Sequence, residues 1–271
     1  MKIIFSLLLS CCCYLGGAEK AVTYTFSGGR FGDNLLAYAH AKWIAYCYDI
    51  PLLYQPFPYS DQLALHENER LYCADTITPF KKQVTLGYGS EVDSRDPLPT
   101  LYTVPYFGEP AHERAINPGW AYVEMDWNDE GFRAVLKDMI KPKQDYPKMK
   151  LPRNRITIAA HVRRGGGADS PEAQLLEPMR FPPNQFYIDQ IRRIGEIFRG
   201  RRLYCYIFTD DLNPQGIVET LRQGLRGVNV TLECRKAGNH HNSNVVEDFF
   251  ALLQFDCIIR PCSNFSYMAS R

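Results

Sequence analysis

The sequence predicts an α/β fold: parallel strands alternate with helices, and ligands meet the carboxyl ends of the strands. Three observations predict it. From residue 156 onward, short apolar runs alternate with longer segments of helical periodicity. Near the start of the chain, a glycine-rich turn, Ser27-Gly28-Gly29-Arg30-Phe31-Gly32-Asp33-Asn34, separates a strand-like run from a helical one. Three segments that follow predicted strands carry arginines, aspartates and hydroxyls, which suit binding better than packing.

The elements follow in order. Residues 21–26 alternate apolar and polar side chains and read as the first strand. Past the turn, Leu35, Leu36, Ala39, Trp43 and Cys47 recur at spacings of three and four, which predicts a helix with one apolar face. Asp33 is placed to cap it. Residues 50–54 read as the next strand, completing a βαβ unit. Residues 55–150 are rich in proline, tyrosine and charge, with turn signals such as Asp96-Pro97-Leu98-Pro99 and Asn117-Pro118-Gly119. Only residues 129–141, ahead of Pro142, read as a helix there. A domain boundary is expected in the basic, proline-containing stretch 143–155, dividing the chain into 21–150 and 151–271. Beyond it, strands are predicted at 156–162, 203–209, 228–232 and 257–260. Helices are predicted at 184–199, at 214–227 with Pro214 in the first turn, and at 244–255. No repeat of fixed period and no low-complexity tract is present.

Composition bounds the function. The 271 residues suffice for one large domain or two ordinary ones, and 45% are hydrophobic. A net charge of +1, from 31 basic and 30 acidic residues, argues against a nucleic-acid or membrane-surface binder. It is compatible with a small anion held by a few local arginines. Residues 1–18 place one lysine before an apolar run that ends in small residues, the pattern of a secretory signal. Leu8-Leu9-Ser10-Cys11 equally fits a lipoprotein-type leader, and a buried first element is the third reading. The run is short for a membrane span. Membrane attachment is therefore expected only through a retained leader, and the protein is expected to be exported or in the secretory lumen, with the cytoplasm as the alternative. Three of the nine cysteines fall in this leader, and the other six form no CxxC pair, against a zinc site. Cys205 and Cys257, in apolar runs, read as buried thiols.

The segment His161-Val162-Arg163-Arg164-Gly165-Gly166-Gly167-Ala168-Asp169 is the most informative. Three adjacent glycines cost backbone entropy on ordering, so a group must approach the backbone closely there. A diphosphate, held by guanidinium groups, fits. Strand alternation points Arg163 and Arg164 to different sides, one to reach a phosphate and the other to tie down the loop. The second segment is Thr209-Asp210-Asp211. Its aspartates suit ribose or base hydroxyls, a divalent metal, or simple helix capping. The third, Ser263-Asn264-Phe265-Ser266, offers hydroxyls and helix N-terminal amides to a phosphate, or is an ordinary cap. Asn264-Phe265-Ser266 and Asn229-Val230-Thr231 also match the N-glycosylation pattern. A glycan on Asn264 would block the site, so none is expected there. Gly28 to Gly32 is neither the GxGxxG fingerprint nor a Walker loop. His240-His241 reads as a solvated pair.

Together these segments resemble the fucosyltransferases that use GDP-fucose, the group spanning α-1,2, α-1,6 and protein O-fucosyl enzymes. Their HxRRxD motif is similar to His161-Val162-Arg163-Arg164, with the acid displaced to Asp169. Their acidic pair after a strand resembles Phe208-Thr209-Asp210-Asp211. Their acidic, apolar helix followed by a strand and S-x-F-S resembles Glu247 to Leu253 and Ser263 to Ser266. Their GGxxGNQ turn is similar to Gly28 to Asn34, although Asp33-Asn34 replaces Asn-Gln.

The resemblance implies a GT-B fold of two Rossmann-like domains facing a cleft. It implies GDP-fucose as donor, a glycan or protein hydroxyl as acceptor, inversion, and neither cofactor nor required metal. Arg163 would neutralise the departing β-phosphate. His161 with Asp210 or Asp211 would hold the guanosine, and Ser263 and Ser266 the diphosphate. Gly29, Arg30, Gly32, Asn34, Arg164 and Asn264 complete the expected donor site. Asp169 and Glu172 are the candidate bases for the acceptor hydroxyl. The chain stops at Arg271, where such enzymes normally continue with a helix and another strand, so an incomplete second domain is expected. The competing readings are a non-catalytic exported sugar- or nucleotide-binding protein and a GT-B transferase with another nucleotide sugar.

Overall fold

Two parallel sheets organise the chain in a computed structural model that describes residues 19–87, 91–106, 125–165 and 170–271. The leader-like residues 1–18, the Asn117-Pro118-Gly119 turn signal, Asp169 and two of the three adjacent glycines lie outside the described residues.

The first sheet has the order β1-β5-β4, with β1 at Lys20–Tyr24, β4 at Lys82–Thr85 and β5 at Thr100–Val104, all parallel. A second parallel pair, β2 (Leu53–Tyr54) and β3 (Arg70–Leu71), joins it through a bridge between Val22 and Leu52. Between β1 and β2 runs helix α1, Phe31–Tyr48, so the predicted βαβ unit is present. Its helix departs from expectation in burial. Phe31, Leu35, Leu36, Tyr38, Ala41 and Ile44 are all buried, whereas Cys47 is exposed. A helix buried around most of its circumference shows no apolar stripe to read. Asp33 is not the cap. It is the third helical residue, and its carboxylate accepts a hydrogen bond from the backbone N–H of Arg30 at the cap position. Short helices α2 (Leu65–Asn68) and α3 (Ala74–Ile77) lead to β4, and α4 (Glu130–Ile140) is capped by Asp129, which accepts from the Phe132 N–H.

The second sheet has the order β8-β7-β6-β9, again all parallel. Its strands are β6 (Ile156–Val162), β7 (Leu203–Thr209), β8 (Val230–Cys234) and β9 (Cys257–Ile259). Helices α5 (Pro171–Leu176), α6 (Asn184–Ile197), α7 (Pro214–Gly224), α8 (Val245–Leu252) and α9 (Asn264–Ala269) connect and follow them. Both faces of this sheet are covered, which is why its central strands read as continuous apolar runs. Ile158, Ala160 and Val162 of β6 and Cys205 and Ile207 of β7 pack with α6 and α7. Ala159 and Phe208 face the other way, toward Phe249 and Leu252 of α8. Cys205 is buried as expected, but Cys257 on the edge strand is only half-buried.

The largest apolar core draws on both sides of residue 150. Leu35, Tyr38 and Phe132 share it with Phe249, Leu252, Tyr267 and Met268. Helices α1 and α9 pack directly, so the carboxyl rims of the two sheets border one cleft.

Candidate functional site

The cleft encloses about 500 Å³. Its wall is built from the carboxyl ends of parallel strands, the loops that follow them and the first turns of the next helices, where such sheets bind ligands.

The loop after β6 separates its two arginines as alternation requires. Arg163 is 9% exposed, lines the cleft, and lays its guanidinium over the Phe181 ring, 4.9 Å from the centroid. Arg164 turns away. Its guanidinium donates to the carbonyl of Pro182 at 2.9 Å and to Asn184 Oδ1, and lies over Tyr187. It braces the loop and is not part of the cleft wall, contrary to its expected place in the donor site. The backbone N–H of Arg164 donates to Asp210 Oδ1 at 2.6 Å, tying the β6 and β7 loops together. Gly165 has φ +85°, a conformation that favours glycine, which explains the first of the three glycines.

His161 lines the cleft floor between two anchors. Its Nδ1 lies 2.8 Å from Ser266 Oγ, and its carbonyl accepts from the Tyr187 hydroxyl. Burial, then the positive charges of Arg163, Arg30 and Arg260, lower its pKa to about 3. It is neutral at physiological pH, so it offers a hydrogen bond and not a charge. Ser266 is fully buried behind it and does not line the cleft. Of the two serines expected at the diphosphate, only Ser263 borders the space. Ser263 precedes α9, and its carbonyl accepts from the Tyr267 N–H.

The turn after β1 forms the opposite wall. Gly28 has φ +80°. Gly29, Arg30 and Gly32 line the cleft, whereas Asn34 is buried beneath, its amide directed at the carbonyl of Gly29. A Cβ on Gly32 would overlap the backbone of Phe265, so only glycine permits this approach of α1 to α9. Asn264 Nδ2 donates to Asp33 Oδ1 at 2.7 Å and to Tyr106 Oη at 3.0 Å. The nitrogen a glycan would need is therefore engaged inside the site.

The remaining expected residues fall elsewhere. Asp211 accepts from the Asn213 N–H at 2.7 Å in the turn before α7, but the helix is capped by Asn213, so neither aspartate is its cap. Glu172 is exposed on α5 and does not line the cleft; hydrogen bonds with its own backbone N–H and with Ser170 hold its carboxyl below the usual range. A carboxyl made more acidic and turned to solvent is poorly suited to take a proton from an acceptor in the cleft.

Several wall residues were not anticipated. Arg180, Arg235, Asn239 and the pair His240-His241 all border the space. The two imidazoles lie 4.1 Å apart between centroids. Arg235 grips Asp248 through two hydrogen bonds of 2.7 and 2.9 Å. Burial raises the Asp248 pKa despite the attraction of Arg235. The sequence signal for this wall is weak: Asp248 sits in the acidic start of α8, but residues 235–243 form a polar loop without periodicity. Pairing of β8 with β7 brings them to the cleft. Four arginines, at positions 30, 163, 180 and 235, thus face one cavity, while Asp33, Asp210 and Asp248 are each engaged by donors. This arrangement suits an anion with polar groups at one end. Among the described residues, no group of three His, Cys, Asp or Glu side chains is placed to hold a metal ion.

Comparison with known proteins agrees at the level of the fold. No protein-family profile and no curated protein sequence matches the chain. Among solved structures, an arginine-to-lysine mutant of Arabidopsis thaliana FUT1 in complex with GDP superposes with a TM-score of 0.55 at 14% identity, over 95% of this chain and 69% of that one. POFUT1 in complex with GDP aligns over 94% of each chain at 11% identity with a TM-score of 0.45. The FUT1 superposition carries the fold: the chain is an α/β protein of GT-B-like architecture.

Proposed function

We propose that the chain transfers fucose from GDP-fucose, with inversion, to a hydroxyl of a glycan or protein. One observation carries this reading. Arg163, nearly buried and stacked on Phe181, faces the cleft between the Gly28-Gly29-Arg30 turn and Ser263. The fold neighbour FUT1 is in complex with GDP, and the cleft has room and cationic walls for a nucleoside diphosphate. Breaking the sugar–phosphate bond leaves extra negative charge on the β-phosphate. A fixed guanidinium there stabilises the leaving group without reorganising at the moment of reaction. Stacking on Phe181 keeps the fork oriented, and a cation over a ring contributes about 2 kcal/mol when desolvated. Neutral His161 adds no charge that would compete for the phosphate.

Thermal shift with GDP, UDP and GDP-fucose tests the ligand. At about 100 times the dissociation constant, binding stabilises by about 2.7 kcal/mol. GDP and GDP-fucose are expected to stabilise the chain and UDP much less; no response to guanine nucleotides removes the reading. Arg163→Lys, which lacks the planar fork, is expected to cut turnover at least tenfold, and near-normal turnover removes Arg163 from this role.

A second reading, a nucleotide-sugar binder without turnover, is favoured by the placement of the acids. Asp33, Asp210 and Asp248 are engaged and Glu172 lies outside the cleft. GDP binding without fucose transfer or GDP-fucose hydrolysis would select it.

A further inference from the structure

The direct bond between Asp33 and Asn264 is a feature that the donor reading does not explain. Asp33 Oδ2 accepts from the backbone N–H of Arg30 at 3.0 Å. Its Oδ1 accepts from the Tyr106 hydroxyl at 3.0 Å and from Asn264 Nδ2 at 2.7 Å. Asn264 Nδ2 also reaches Tyr106 Oη, closing the cluster. Three segments meet there: the first turn of α1, the residues after β5, and the first residue of α9. Directly beside it, Gly32 lets α1 touch the Phe265 backbone. Asp33, Tyr106 and Asn264 themselves line the cleft, beside Arg30 on one wall and Ser263 on the other.

We propose that Asp33 and Asn264 form a latch that sets the spacing between the two walls of the cleft, making both of them positioning residues for the ligand. The proposal deepens the nucleotide reading and rests on it for its binding readout. The chemistry is specific to an acid facing an amide. The carboxylate takes three donors on two oxygens, and the amide donates to it. Asn264→Asp places two carboxylates at hydrogen-bond distance, where like charges repel. Adding Asp33→Asn restores an amide–carboxylate pair with the roles exchanged. The amide oxygen introduced on α1 can accept from the Arg30 N–H, while its nitrogen donates to the carboxylate introduced on α9.

The experiment measures GDP affinity and the nucleotide-free melting temperature of the wild type, Asp33→Asn, Asn264→Asp and the double swap, at pH 8 and pH 5. Asn264→Asp is expected to weaken GDP binding at least tenfold at pH 8. Part of that loss should return at pH 5, where the two acids can share a proton. The double swap is expected to bind GDP within about threefold of the wild type, with its nucleotide-free melting temperature restored. A double swap no better than Asn264→Asp in both readouts overturns the latch. If wild type binds no guanine nucleotide, the donor reading fails instead, and rescue of the nucleotide-free melting temperature still decides whether the pair is coupled.

Discussion

Arg163 and Arg164 are adjacent in the chain and do different work because the extended backbone leaving β6 keeps turning successive side chains to opposite sides. One guanidinium lines the cleft and the other fastens the loop to Pro182 and Asn184. His161, two residues before Arg163, is held neutral, as is His40 in the core of α1; both have a pKa lowered to about 3, in His40 by burial alone. The sign of the consequence is fixed. In the unfolded chain a histidine binds a proton below about pH 6.5, and in the folded chain these two do not until about pH 3. Their contribution to stability is complete above about pH 6.5 and is lost as pH falls toward 3. Each steepens the loss by up to about 1.4 kcal/mol per pH unit. Urea denaturation between pH 6.5 and 5, above most carboxylate titration, should show this slope, and His161→Asn should make it shallower. An unchanged slope in that variant would mean His161 is not kept neutral by the fold. At this scale much of the site was legible. Charged and hydroxyl residues after predicted strands pointed to loops that line the cleft, but which member of each pair faces it was not legible. Arg164, Asp211 and Ser266 lie next to cleft residues and brace the loops and side chains behind them instead, because local turn geometry, not residue type, decides direction.

Among the elements, α1 shows how burial hides a pattern. Its spacing of apolar residues predicted one face, yet nearly the whole circumference is packed, against the first sheet on one side and α9 on another. The tightest point of that packing is Gly32. Gly32→Ala is expected to cost about 1–3 kcal/mol, the usual penalty of overpacking, and to lower GDP affinity by moving α9 with Ser263. Guanidinium denaturation and a nucleotide titration check both parts; a variant as stable as wild type would show that the helices yield without cost. The strands β4 and β5 were not legible. β4, Lys82–Thr85, is exposed along most of its length and has no apolar alternation. β5 directly follows the Pro97-Leu98-Pro99 turn signal, which masked a buried Thr-Leu-Tyr-Thr-Val run. Their strand character comes from parallel pairing with β1, a long-range contact that no local window contains. In the second half each strand is flanked by its own crossover helix, and local pattern and final structure agree within a few residues.

For the molecule as a whole, two sheets do not mean two independent cores. Helices α8 and α9 follow the second sheet in sequence, yet they fill the core around α1. Thermal unfolding is therefore expected to be one cooperative transition, with calorimetric and van't Hoff enthalpies equal. Two resolved transitions would show that the halves hold together less tightly than this core implies. The cleft inherits the same coupling: its walls come from both sheets, and a ligand bridging Arg30 and Arg163 would stabilise both at once.

The packing of α1 against α9 also has a consequence for how the protein is made. A ribosome delivers Asp33 long before Asn264, 231 residues further on. Until the last two helices emerge, Phe31 has neither Phe249 nor Phe265 to pack against, and the face of α1 turned away from the first sheet stays open to water. The nascent chain thus passes most of its synthesis with that one face of its first helix uncovered, a period in which chaperone binding would protect it and a stalled or shortened message would leave it prone to aggregate.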